Sequence, residues 1–97
     1  MDKRNYLIIL YDFYGELLNE KQREYFEEYY FNNLSLSEIS NNLNVSRNAI
    51  HKSLVSIAEK LTFFEEKLKL FEKTNIIRDI IKEEDIKKIK EKLKELI

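Results

Sequence analysis

The chain has 97 residues, enough for one domain with a single modest core. It holds no cysteine, no proline and one glycine, which excludes disulfides, thiolate metal sites and a cysteine nucleophile and leaves too few turn residues for a β-sandwich. The net charge of −1 is unevenly spread: residues 1–30 carry four Lys/Arg against seven Asp/Glu, residues 31–62 three against two, and residues 63–97 ten against nine. So small a cationic excess predicts weak nucleic-acid affinity for a single chain, because that affinity comes mainly from neutralised phosphates.

Residues Lys3–Tyr14 place Leu7, Leu10, Tyr11 and Tyr14 at helical spacing, and Gly15 is expected at the left-handed position that ends this helix. The apolar run Tyr6–Tyr11 stops at Asp12, too short for a signal-peptide core or a membrane span, so a cytoplasmic protein with no membrane contact is expected. Asn19 with Gln22 reads as a capping box opening a second helix, whose aromatic face is Tyr25, Phe26, Tyr29 and Tyr30. Asn32, Asn33 and Leu34 form a loop. Ser35 with Glu38 is another capping box and opens a helix of about eight residues with Leu36, Ile39 and Leu43 facing inward.

Asn44 takes the tight turn that follows, where a positive φ is needed, and Ser46 caps the next helix. In that helix Ile50, Leu54, Ile57, Leu61, Phe64, Leu68 and Phe71 are spaced 4, 3, 4, 3, 4, 3. This heptad stripe predicts one continuous helix from Arg47 to about Phe71, spanning ~37 Å. Thr74 is expected to cap a further helix with Ile76, Ile77, Ile80 and Ile81. Ile86, Ile89, Leu93 and Leu96 resume the stripe in a lysine-rich tail, with Glu83, Glu84 and Asp85 at its N-terminal end as the helix dipole favours.

Residues 36–54, LSEISNNLNVSRNAIHKSL, with Leu34 ahead of them, have the layout of a helix-turn-helix. Ser40 is small where the two helices cross, Leu43 and Val45 flank the turn, and Ile50 and Leu54 anchor the second helix. Its outward positions are Arg47, Asn48, His51 and Lys52. In this motif such residues enter a major groove, where Asn reads adenine and Arg reads guanine or phosphate, while Ser46 and the helix N-terminus hold a phosphate.

The stretch Ser37-Glu38-Ile39-Ser40, then Val45-Ser46-Arg47 and Ile50, resembles region 4 of sigma factors. The fuller resemblance is to the YlxM family of small bacterial helix-turn-helix proteins. It runs over Tyr6–Phe71 through Leu10-Tyr11-Asp12-Phe13-Tyr14, Leu17-Leu18, Lys21-Gln22-Arg23, Tyr29-Tyr30, the motif itself and Glu65-Glu66-Lys67-Leu68. The chain departs in having Ser40 where alanine is usual, and the residues after Lys73 lie outside the resemblance. What the resemblance implies is a link to components of the signal recognition particle and a regulatory role in that pathway.

His51 is the only histidine, and a lone histidine on an outward face makes no metal site, so no metal and no cofactor is expected. The tyrosines and phenylalanines suit base stacking, but at helical spacing they read first as core. The tail's mixed signs, with Glu83–Lys87 and Glu84–Lys88 pairs, describe a solvated helix face rather than an RNA-binding arm. With no glycine-rich phosphate loop, cysteine or second histidine, an enzyme is not expected.

The expectation is therefore an all-α helix-turn-helix domain over residues 1–73, sigma region 4-like, with a long fourth helix and a C-terminal helical extension over residues 74–97. Its site is a nucleic-acid face of Ser46, Arg47, Asn48, His51 and Lys52, meeting DNA or RNA. The long stripe, at Leu61, Phe64, Leu68 and Phe71, is expected to pair two copies as a homodimer or to bind a partner. The alternative is a protein-interaction module that binds a signal recognition particle component with no nucleic-acid contact.

Overall fold

The computed structural model describes all of residues 1–97 and contains six α-helices and no strand. Helix α1 covers Lys3–Tyr14, α2 Glu20–Phe26, α3 Leu36–Leu43, α4 Arg47–Leu68, α5 Leu70–Lys82 and α6 Ile86–Lys94. The expected all-α fold and its helix-turn-helix are both present. Helix α4 is the spine: α1, α2 and α3 pack on it, and their apolar faces meet in a core of Leu7, Leu10, Tyr14, Leu18, Tyr25, Phe26, Ile39, Ile50, Leu54, Ile57 and Leu61.

Local chemistry sets most of the boundaries. Asp2 caps α1 by accepting a hydrogen bond from the Asn5 N–H at 2.8 Å. Asn19 and Gln22 form the expected capping box at α2, as do Ser35 and Glu38 at α3. Gly15 departs from expectation. Its φ of −55° is ordinary helical backbone, and it opens a 3-10 turn over Gly15–Leu17. What needs a glycine here is space, since a Cβ would stand 3.1 Å from the Tyr11 ring, itself stacked on Phe26 at 4.2 Å.

The end of α2 was not foreseen. It widens into a π turn over Glu27–Phe31, which carries Tyr29 and Tyr30 against the core. Arg4 of α1 ties this turn down, donating to the Tyr30 carbonyl oxygen at 2.8 Å and to Asn33 Oδ1 at 2.7 Å, with its guanidinium over the Tyr30 ring.

The long helix is also shorter than the stripe suggests. Lys69 adopts the left-handed conformation, φ 56°, so α4 stops at Leu68 and Phe71 belongs to α5. Thr74 caps nothing; it lies inside α5, its hydroxyl donating to the Leu70 carbonyl oxygen at 2.7 Å. Instead the opening N–H groups of α5 are satisfied from the core. Leu70 N–H donates to the Tyr14 hydroxyl oxygen at 3.0 Å, and Phe71 and Glu72 N–H donate to the two Glu65 carboxylate oxygens at 3.1 Å each. The boundary expected between residues 73 and 74 thus falls within α5.

In the tail, α6 lies against α5, and Asp85 caps it by accepting from the Lys87 N–H at 2.9 Å. The expected Glu83–Lys87 and Glu84–Lys88 pairs do not form as pairs within one helix, because Glu83 and Glu84 precede α6; Glu83 meets Lys92 at 3.2 Å instead. With the α5–α6 hairpin reaching outward, the molecule measures 57 × 22 × 19 Å.

Candidate nucleic-acid interface

The turn between α3 and α4 has the geometry the sequence predicts. Asn44 sits at φ 56°, ψ 43°, and the Ser40 carbonyl oxygen accepts from the N–H groups of Asn44 and Val45. Ser46 caps α4, its hydroxyl oxygen accepting from the Ala49 N–H at 3.2 Å. Ile39 of α3 and Ile50 of α4 are fully buried in the core, where α3 packs on α4, which fixes the angle at which α4 leaves the turn.

Ser46, Arg47, Asn48, His51 and Lys52 are all exposed, on the first turns of α4. Arg47, Asn48 and His51 share a shallow cleft of about 370 Å³ with Ser35, Leu36 and Ser37 from the start of α3. Arg47 donates to Ser37 Oγ at 3.2 Å, which holds its guanidinium over this cleft. Lys52 lies outside the cleft, further along the exposed surface of α4. Ser35 and Ser37 were missed as site residues. The capping box that marks the start of α3 was their signal, because the first turns of both helices border one cleft. Two positive helix ends there favour an anion such as a phosphate. Against this, Glu38 stands in the first turn of α3, its carboxyl held below the usual range by hydrogen bonds from the Ser35 N–H and hydroxyl.

The expected interface residues are dispersed by the fold. Leu61 is fully buried in the chain's own core and has no surface to offer a partner. Phe64 is half-buried against Tyr14, ring centroids 5.9 Å apart, and Phe71 is half-buried between Tyr6 and Phe13. Only Leu68, 46% exposed, remains available. The stripe is covered within the chain because α1, α2 and α3 pack on α4, and Phe71 beyond its end packs on α1.

A different apolar surface is open, one position round α4 from the stripe. Val55, 45% exposed, and Phe63, 52% exposed, flank a cleft of about 490 Å³ whose other wall is Leu7, Tyr29 and Tyr30. Val55 and Phe63, eight residues apart on a helix, were the legible part of this surface; the wall from the π turn was not. Leu36 and His51 border both clefts.

A family model described as "Putative helix-turn-helix protein, YlxM / p13 like", UPF0122, matches residues 1–97. The chain belongs to the UPF0122 family. Among its relatives, a UPF0122 protein of Caldanaerobacter subterraneus subsp. tengcongensis is 47% identical over 92 residues, covering 95% of this chain and 71% of that protein. One of Malacoplasma penetrans is 49% identical over 75 residues, covering 77% and 70% of the two chains. One of Fusobacterium nucleatum subsp. nucleatum is 43% identical over 91 residues, covering 91% and 85%. The resemblance read from residues 6–71 is thereby borne out. The family match also takes in α5 and α6, so the tail that the sequence reading left outside is part of the family's pattern.

Proposed function

We propose that this UPF0122 protein is a nucleic-acid-binding regulator acting in the cytoplasm as a pair of chains. The observation that carries the reading is the convergence of Arg47, Asn48 and His51 with the first turns of α3 and α4 on one exposed cleft. Arg47 and Asn48 are the side chains suited to base edges, His51 and Lys52 extend the contact to the backbone, and the Ser46-capped end of α4 holds a phosphate. Each copy presents only two formal cations on this face, so pairing, which doubles them, supports useful affinity. A role alongside signal recognition particle components is supported by the resemblance to the YlxM family alone.

The test is binding of the full chain to random-sequence duplex DNA and to single-stranded RNA at low salt. Arg47→Glu with Lys52→Glu is expected to abolish binding while leaving the unfolding midpoint unchanged. Absence of salt-sensitive binding to either nucleic acid in the unsubstituted chain would sink the reading. A second reading, a module that binds a protein partner only, is favoured by the net −3 of residues 1–30, which repels a phosphate backbone. On that reading the charge reversal leaves partner binding intact.

A further inference from the structure

Two apolar surfaces of this chain lie open. One is the cleft between α1, the π turn and α4, with Val55 and Phe63 at its mouth. The other is the outer face of the α5–α6 hairpin, where Ile81 is 77% exposed and Ile86 69%, with Ile77 and Leu93 exposed beside them. We infer that, given the pairing proposed above, α6 of one copy docks its apolar face into the cleft of a second copy, the reciprocal dock closing the pair about a two-fold axis.

The two surfaces are complementary in chemistry and charge, and the cleft has room for the helix. The cleft runs along α4 from His51 to Glu66, about 22 Å at the helical rise, and α6, Ile86–Lys94, spans about 13 Å, so the cleft is long enough to hold the whole helix. An amphipathic helix with Ile86 and Leu93 one heptad apart fits a groove lined by Leu54, Val55, Ala58 and Phe63. Between Ile86 and Lys94 the helix carries five lysines against Glu91, a net +4. The α4 edge of the cleft presents Glu59 and Glu66, with Lys3 on α1 the one opposing ammonium. In its own chain α6 lies on α5, whose start is fastened to Glu65 and Tyr14 and whose Phe71 packs on Tyr6 and Phe13, so the hairpin projects away as an arm suited to exchange.

The experiment is sedimentation equilibrium of the full chain over a wide concentration range, without nucleic acid. The unsubstituted chain is expected to approach the mass of two copies. Ile86→Asp with Leu93→Asp, and separately Val55→Asp with Phe63→Asp, should each weaken pairing about a hundredfold or more. All four positions are exposed, and retention of helical circular dichroism and cooperative unfolding would verify that the variants fold. Mixing the two double variants should give a one-to-one pair tighter than either variant's own pair and weaker than the unsubstituted one, since one of its two docks is then intact and the other is altered on both sides. A chain that stays monomeric throughout overturns the pairing and the docking together. A pair that survives in either double variant, or a mixture that pairs no more tightly than either variant alone, overturns the docking alone.

Discussion

Glu65 stands where α1, α4 and α5 meet, and its two carboxylate oxygens accept from the N–H groups of Phe71 and Glu72 while Oε1 also accepts from the Tyr14 hydroxyl at 2.6 Å. A carboxylate at a helix N-terminus is favoured by the helix dipole as well as by these bonds, so one side chain caps α5 and fixes it to the core. Glu65→Ala leaves three donors without their acceptor and should lower stability by about 2–4 kcal/mol, with Glu65→Gln costing less, both read from urea denaturation midpoints. Burial, and then the bond to Glu65, push the Tyr14 hydroxyl up to about 12. An unfolded tyrosine releases its proton near 10. Between those values the folded chain holds more protons than the unfolded one, so stability falls as pH rises from about 10 toward 12. Burial also raises Tyr6, Tyr11 and Tyr30, so Tyr14→Phe should make that alkaline fall shallower without removing it. Thermal unfolding across that pH range measures the difference.

At the scale of elements, what the sequence made legible was local. Asn19 with Gln22, Ser35 with Glu38, Asn44 and Ser46 each act on backbone groups a few residues away, so their spacing alone marked where α2, α3 and α4 begin and where the turn lies. The π turn and the break at Lys69 were illegible because no residue typical of either marks them. A heptad stripe tells which residues are apolar and leaves open whether one helix carries them all: Phe71 keeps the spacing across the break because Tyr6 and Phe13 of α1 receive it. The proposed nucleic-acid face follows from outward helical positions, whereas the apolar cleft is built from α1, α3, α4 and the π turn together. Lys69 at φ 56° is a left-handed residue with a Cβ, which costs about 1–2 kcal/mol. Glycine relieves that strain but loses more entropy on folding, so Lys69→Gly should raise stability by under about 1 kcal/mol, seen as a higher melting temperature. The exposed Lys69–Glu72 pair, at 3.7 Å, adds too little to reverse the sign.

For the whole molecule, the proposed function turns on how few cations lie on the face of Arg47 and Lys52. Even with Arg47 and Lys52 both counted against phosphates, log K against log salt should fall with a slope no steeper than about −2 for one chain, and about −4 for a pair that engages both faces. A filter-binding series over a range of salt distinguishes these, and a far steeper slope would place cations outside α4 in contact with the ligand.

The way α5 begins also sets how the tail exchanges its amide protons with solvent. The N–H groups of Leu70, Phe71 and Glu72 are held by side chains anchored in the core, so deuterium reaches them only when the core itself opens. Farther along, α6 packs chiefly on α5, and its amides are protected mainly by that hairpin. Labelling followed over time should therefore advance as a front from Ile97 back toward Lys69 and halt there, leaving a slow-exchanging root beneath a fast-exchanging arm.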